Sequence, residues 1–147
     1  MGIEEKLNSL GIKLTEARPP VGNYIGCKIA ANLLYASGRV SDLKGKVGRE
    51  VSFAEAINAA HDTVLLILAI IKNEIKDLDL LKGVIKVQGF VNCDDSFTEL
   101  PKVLDGASDL LISLFGEDGK HARTATGVSQ LPFEATLQLD IIFELNS

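Results

Sequence analysis

Residues 121–145 read HARTATGVSQLPFEATLQLDIIFEL, two extended segments joined at Leu131-Pro132. In the second, Leu137, Leu139, Ile141, Phe143 and Leu145 alternate with Thr136, Gln138, Asp140, Ile142 and Glu144. A period of two belongs to a strand that shows a different face to each side. The first set suits a core. The second mixes acid, amide and aliphatic groups, so its surroundings decide what the strand does. In the first segment Arg123 stands alone among Ala122, Thr124, Ala125, Thr126 and Gly127.

Working back from there, Gly116–Gly119 is a turn and Pro101–Phe115 a helix. Pro101 suits a first turn, where a missing N–H costs little. Val103, Ala107, Leu110, Leu111 and Leu114 form its inner face, and Gly106 weakens it. Gly83–Cys93 is a strand with Ile85, Val87, Val91 and Cys93 on its core side and Val84, Lys86, Gln88, Phe90 and Asn92 on the other. Ser52 to about Ile75 is the clearest helix, opened by a Ser52/Glu55 capping box and carrying Ile57, Ala60, Val64, Leu68 and Ile71 at helical spacing. Tyr24–Ala30 and Leu33–Ser37 read as a hairpin across Ala31-Asn32, followed by a glycine-rich loop, Gly38–Gly48. A short helix covers Ile3–Leu10. The expected product is one α+β domain, residues 1–147, with a single sheet and two helices packed on one of its faces.

The bulk numbers narrow the partners. At 147 residues the chain is long enough for one real core. A net charge of -5, 5% aromatics and no Trp argue against a nucleic-acid surface. Cys27 and Cys93 share no metal-type or CxxC spacing and read as reduced thiols of a cytoplasmic protein. The start MGIEEKLNSLG lacks a signal peptide's basic and apolar regions. The longest apolar run, Val64–Ile71, falls far short of the ~20 residues of a membrane span. No membrane partner, no metal and no cofactor are expected.

Two helices cover one face of a sheet and leave the other. The leftover set holds Lys86, Gln88, Asn92, Thr136, Gln138 and Asp140 beside Val84, Phe90 and Ile142. It is either a solvent face with scattered apolar residues or a subunit interface with polar pockets, and the apolar trio favours the interface. The candidate chemistry is sparse. His61, on the core side of its helix, reads as a hydrogen-bonded boundary histidine, and His121 as a surface residue at a turn. Asp94-Asp95 lacks a partner at ligand spacing and suits a helix start. Gly45 and Gly48 do not make a phosphate loop. Arg123 is either a structural arginine or, if the small residues around it leave a cleft, a fork for a carboxylate.

Gly-Asn-Tyr (22–24), Tyr35-Ala36-Ser37-Gly38, Gly-Phe-Val-Asn (89–92), Ala-Arg-Thr-Ala (122–125) and Leu-Pro (131–132), in that order over nearly the whole chain, resemble the YjgF or reactive intermediate deaminase (Rid) family. HARTATGV and PKVLDGASDLL look more like its branch labelled endoribonuclease L-PSP-like or translation initiation inhibitor. The resemblance implies a chorismate-mutase-like fold and a homotrimer with ligand clefts between subunits. It implies hydrolysis of a 2-imino or enamino acid to a 2-keto acid and ammonia. Arg123 takes the place of the arginine that binds the substrate carboxylate, Tyr24 lines the same cleft, Ser37 and Gly38 belong to the binding site, and the residues after them form part of its wall. The family's cysteine two residues past that arginine is Ala125 here, and its water-placing acid on the last strand is Gln138. A glutamine orients water but cannot take its proton; Asp140, two residues on, is the available substitute. A non-catalytic binder of small 2-keto or amino acids is therefore the alternative to a deaminase, and RNA cleavage the least supported reading.

Overall fold

The computed structural model describes residues 2–147, so Met1 of the expected domain lies outside the described residues. In chain order the elements are α1 (Ile3–Ser9), β1 (Cys27–Ala30), β2 (Leu33–Val40), α2 (Phe53–Ile75), β3 (Leu81–Asn92), α3 (Leu100–Phe115), β4 (Ala122–Val128) and β5 (Leu137–Leu145). The strands form one mixed sheet in the order β1-β2-β5-β3-β4. Only β3 and β4 are parallel, joined through α3 as a crossover connection requires. The alternating strand β5 lies in the middle of the sheet, antiparallel to both β2 and β3. Its Leu137, Leu139, Ile141 and Phe143 are buried under the helices.

Each helix forms for reasons visible in its residues. Ser52 Oγ accepts from the Glu55 amide at 3.1 Å, and Glu55 accepts back from the Ser52 amide at 3.0 Å, closing the capping box of α2. By length and composition α2 is long and apolar enough to cross a membrane, yet half of its most apolar window is buried inside this fold. That is how a core helix reads. Gly106 of α3 is where the two helices meet: a Cβ there would sit 2.1 Å from the Ile57 carbonyl oxygen. The glycine that weakens α3 as an isolated helix is therefore what lets it lie close to α2.

Three expectations about the sheet change. The segment expected to be loop from Gly38 onward begins as strand, because β2 runs to Val40. Ala36 pairs with Ile141 and Arg39 with Leu139, so Ser37 and Gly38 both stand opposite Asp140 in a β-bulge. A second irregularity in β3, between Val84 and Lys86, exchanges the places of two aliphatic residues. Val84 is 3% exposed and belongs to the core, whereas Ile85, expected inside, is 42% exposed. Asn92 and Thr136, assigned to the uncovered face, are buried. Thr136 donates to the Gly45 carbonyl, while Asn92 accepts from Lys46 and donates to the Ala135 carbonyl.

The hairpin turn falls at Ala31-Asn32 as expected. Both residues take positive φ, 51° and 64°, as the tight turn between twisted strands requires. Asp94 does not start α3. It holds a turn by accepting from the Ser96 amide and pairs with Arg49 at 3.2 Å. His61 is half-exposed, with its Nδ1 3.0 Å from Asp62, the hydrogen-bonded boundary position expected of it.

Candidate functional site

The bulge in β2 organises the site. With two residues opposite one, the strand bends at Ser37-Gly38, and the missing side chain at Gly38 makes room for the ends of Asp140 and Gln138 on the polar face of β5. A Cβ at Gly38 would lie 2.5 Å from Asp140 Oδ1 and 2.7 Å from Gln138 Nε2. The two side chains are joined: Gln138 Nε2 donates to Asp140 Oδ1 at 3.2 Å. Burial pushes the Asp140 carboxyl above the ordinary carboxylate range, and the hydrogen bond from Gln138 pulls it partly back.

Next to this pair lies a cavity of about 500 Å³ whose lining includes Tyr24, Gly38, Arg39, Lys44, Phe133 and Gln138. Its rim is built from strained backbone. Phe133 and Glu134, neither a glycine, hold φ of 59° and 60° in the turn Pro132–Glu134. Such conformations persist where the surroundings impose them, often at ligand sites. Phe133 is exposed on this rim. Tyr24 Oη accepts from the Val21 amide at 3.3 Å, which shapes the segment before β1. Ser37 donates to the Ile25 carbonyl at 2.6 Å, so its hydroxyl fastens that segment to β2. Behind the cavity a recess of about 20 Å³ is lined by Ser37, Gly38 and Arg39 among others.

Arg123 lies elsewhere. Its neighbour Thr124 meets Lys86 at 2.9 Å, and Arg123 itself turns to α3. Nη1 donates to Asp105 at 2.8 Å and to Ser108 at 3.0 Å, and Nη2 donates to the Pro101 carbonyl at 3.1 Å. Three of the five guanidinium N–H groups are thus engaged, and the side chain is 22% exposed. No acid neighbours Arg123 in sequence, but α3 brings one across β4. Ser108 also meets His121 Nε2 at 2.9 Å, while His121 Nδ1 lies 2.6 Å from the Gly119 carbonyl. A carbonyl can only accept, so Nδ1 is the donor in that contact, and His121 is not a free surface residue.

Of the five residues singled out from sequence, Tyr24, Ser37, Gly38 and Gln138 are therefore assembled within one chain. Arg123 is separated from β2 by β5 and β3, three strand spacings or about 14 Å. Arg39 and Lys44 were not singled out. Arg39 directly follows the Ser37-Gly38 motif, and that adjacency was the available signal. Asp105 and Ser108 were legible only as a three-residue spacing on one helix face. Among the described residues no group of three His, Cys, Asp or Glu is placed to hold a metal ion.

The family model "YjgF/chorismate_mutase-like, putative endoribonuclease" matches residues 4–145. The chain belongs to this YjgF family. It is 38% identical to Protein TCP17 of Trypanosoma cruzi over 99% of this chain and 95% of that protein. Among solved structures, Atu1372 of Agrobacterium tumefaciens, a protein of unknown function, is 39% identical. It superposes with a TM-score of 0.88, covering 98% of this chain and 92% of that one. A protein of Shewanella oneidensis described as "a putative endoribonuclease" is 30% identical with a TM-score of 0.93, covering 99% and 100%. The mixed sheet with helices on one face is thus the YjgF fold. The motifs Tyr35-Ala36-Ser37-Gly38 and Leu131-Pro132 supply the bulge and the strained turn of a single cavity in this member of the YjgF family.

Proposed function

We propose that this protein hydrolyses 2-imino or enamino acids to 2-keto acids and ammonia, in clefts completed by a neighbouring copy of the chain. The observation that carries this reading is the carboxyl of Asp140, held above its ordinary range and hydrogen-bonded to Gln138, which lines the cavity. A carboxylate with a raised pKa is a stronger base and suits proton transfer near neutral pH. In the reaction the Gln138 carbonyl orients a water molecule, and Asp140 takes one of its protons as the oxygen adds to the C=N carbon. Asp140 passes that proton to the imine nitrogen, giving the tetrahedral adduct. The hydroxyl of the adduct then gives up its proton, by way of Asp140, to the amino group; the C=O bond forms as the C–N bond breaks and ammonia leaves. Arg123 of the adjoining copy binds the substrate carboxylate through the N–H groups it does not share with α3. Base catalysis of this kind contributes about 10²–10⁴-fold.

Two observations favour a second reading, a binder of small 2-keto or amino acids without catalysis. The last-strand acid is replaced by Gln138, and the Arg123 fork is already paired with Asp105. Endoribonuclease activity, which the family description carries, fits poorly with a net charge of -5, since phosphate backbones select basic surfaces. The test is to generate 2-aminoacrylate in situ and follow its loss with wild type, Asp140→Asn and Arg123→Ala. The deaminase reading expects acceleration over solvent, a loss of about a hundredfold or more in Asp140→Asn, and a raised KM in Arg123→Ala. A wild-type rate equal to solvent, with keto-acid binding intact, leaves the binder.

A further inference from the structure

The cavity beside Gly38 is lined by two cations, Arg39 and Lys44, and one acid, Asp42. The bulge at Ser37-Gly38 sets Arg39 between the cavity of about 500 Å³ and the small recess behind it, so that its side chain lines both. Its Nε is shut off from solvent and meets no acceptor in the described protein. A buried donor without a partner is rare in a finished fold and is a mark of a group kept for another purpose. The one acid lining the cavity, Asp42, is turned to a different arginine. Arg18 takes both of its carboxylate oxygens, Oδ2 at 2.9 Å, and those hydrogen bonds hold the Asp42 carboxyl below its ordinary range. Lys44 lines the same cavity, and neither it nor Arg39 hydrogen-bonds to that acid, although the Arg39 charge also helps hold the Asp42 carboxyl down. A half-open space lined by one guanidinium and one ammonium favours an anion, and the guanidinium's flat fork matches a carboxylate.

We propose that Arg39, assisted by Lys44, is a specificity-determining residue that selects 2-imino and 2-oxo acids bearing a second, distal carboxylate. The inference rests on the reading above for the first carboxylate, which Arg123 of the neighbouring copy engages. The two ends of a dicarboxylate then lie against cations from opposite walls, with the reacting carbon between them near Gln138 and Asp140.

Calorimetric titration with 2-oxoglutarate and 2-oxopentanoate tests this, since both have five carbons and differ in the distal carboxylate. Wild type is expected to bind 2-oxoglutarate about tenfold or more tightly than 2-oxopentanoate, as one added charge-assisted contact implies. Arg39→Gln reduces 2-oxoglutarate affinity to the level of the monoacid and leaves 2-oxopentanoate unchanged. Lys44→Gln shows a smaller loss in the same sense. Because Lys44 is on the surface, that variant still decides the matter if Arg39→Gln folds poorly. Equal affinity of wild type for the two acids overturns the inference, and so do Arg39→Gln and Lys44→Gln variants that weaken both acids alike. Arg123→Ala reports separately on the underlying reading. If it weakens both acids, that reading stands. If it changes neither while the Arg39-dependent preference persists, the shared-cleft reading fails and the distal site remains.

Discussion

At Asp140 burial holds the carboxyl above the ordinary range, and the neighbouring amide of Gln138 only partly offsets it. A group that binds its proton more tightly folded than unfolded favours the fold most at low pH. That contribution is lost as pH rises from the ordinary carboxylate range through the raised folded value. Asp140→Asn removes this dependence. The variant is expected to have a higher Tm than wild type at neutral pH and an equal one below the carboxylate range, measured by thermal denaturation across pH. A stability gain coupled to a loss of turnover is the pattern expected of a functional group. Gly38 supplies a second test. A methyl group there meets the ends of Asp140 and Gln138, which are flexible enough to move aside. Gly38→Ala is expected to fold, with a stability change within about 1 kcal/mol, but to lose most ligand affinity in titration, because the added carbon displaces the ends of Gln138 and Asp140.

The two long helices illustrate how local preference and packing can disagree. Read alone, Gly106 is a defect worth roughly 1 kcal/mol in α3. Against α2 it is required, since the backbone of Ile57 occupies the space a side chain would need. Gly106→Ala is therefore expected to destabilise the protein by about 1–3 kcal/mol, as overpacking does, even though alanine is the better helix former; urea denaturation measures it. The bulges in β2 and β3 act similarly on strands. Each inserts a residue that the pattern of alternation does not announce, and each changes which side chains reach a given face. The bulge in β3 explains why Ile85 replaces Val84 on the outside. The bulge in β2 explains why Arg39 reaches the cavity.

The sheet keeps one broad face uncovered by helix, and there Tyr35 is 44% exposed, Ile85 is exposed, and Phe90 and Ile142 are half-buried. Tyr35 pairs directly with Ile142 across β2 and β5, so two of these groups already form one apolar patch. We propose that this face is buried between three copies, which also brings Arg123 of one copy toward the cavity of the next. Light scattering is expected to give about three times the 15.8 kDa of a single chain. Tyr35→Asp places a charge in the patch and is expected to shift the protein to smaller species with loss of ligand binding. A wild-type protein that runs as a single chain removes the shared cleft.

Residues 121–145 and the helical spacing of Ser52–Ile75 and Pro101–Phe115 were sufficient, without coordinates, for an α+β sheet with its helices on one side. The reason is that periodicity is a local record of which face is buried. Tyr24 and Gly38, two of the residues singled out from the motifs, line the cavity of about 500 Å³. What tertiary structure alone decided is non-local. Strand order placed β5 at the centre and Arg123 at the far edge, because pairing partners are chosen by the packing of the sheet as a unit. The pairing of Arg123 with Asp105 arises only when α3 lies across β4. The unmatched Nε of Arg39 and the shifted proton of Asp140 depend on how much water the folded chain excludes, and exclusion is a property of volume that no stretch of residues carries by itself.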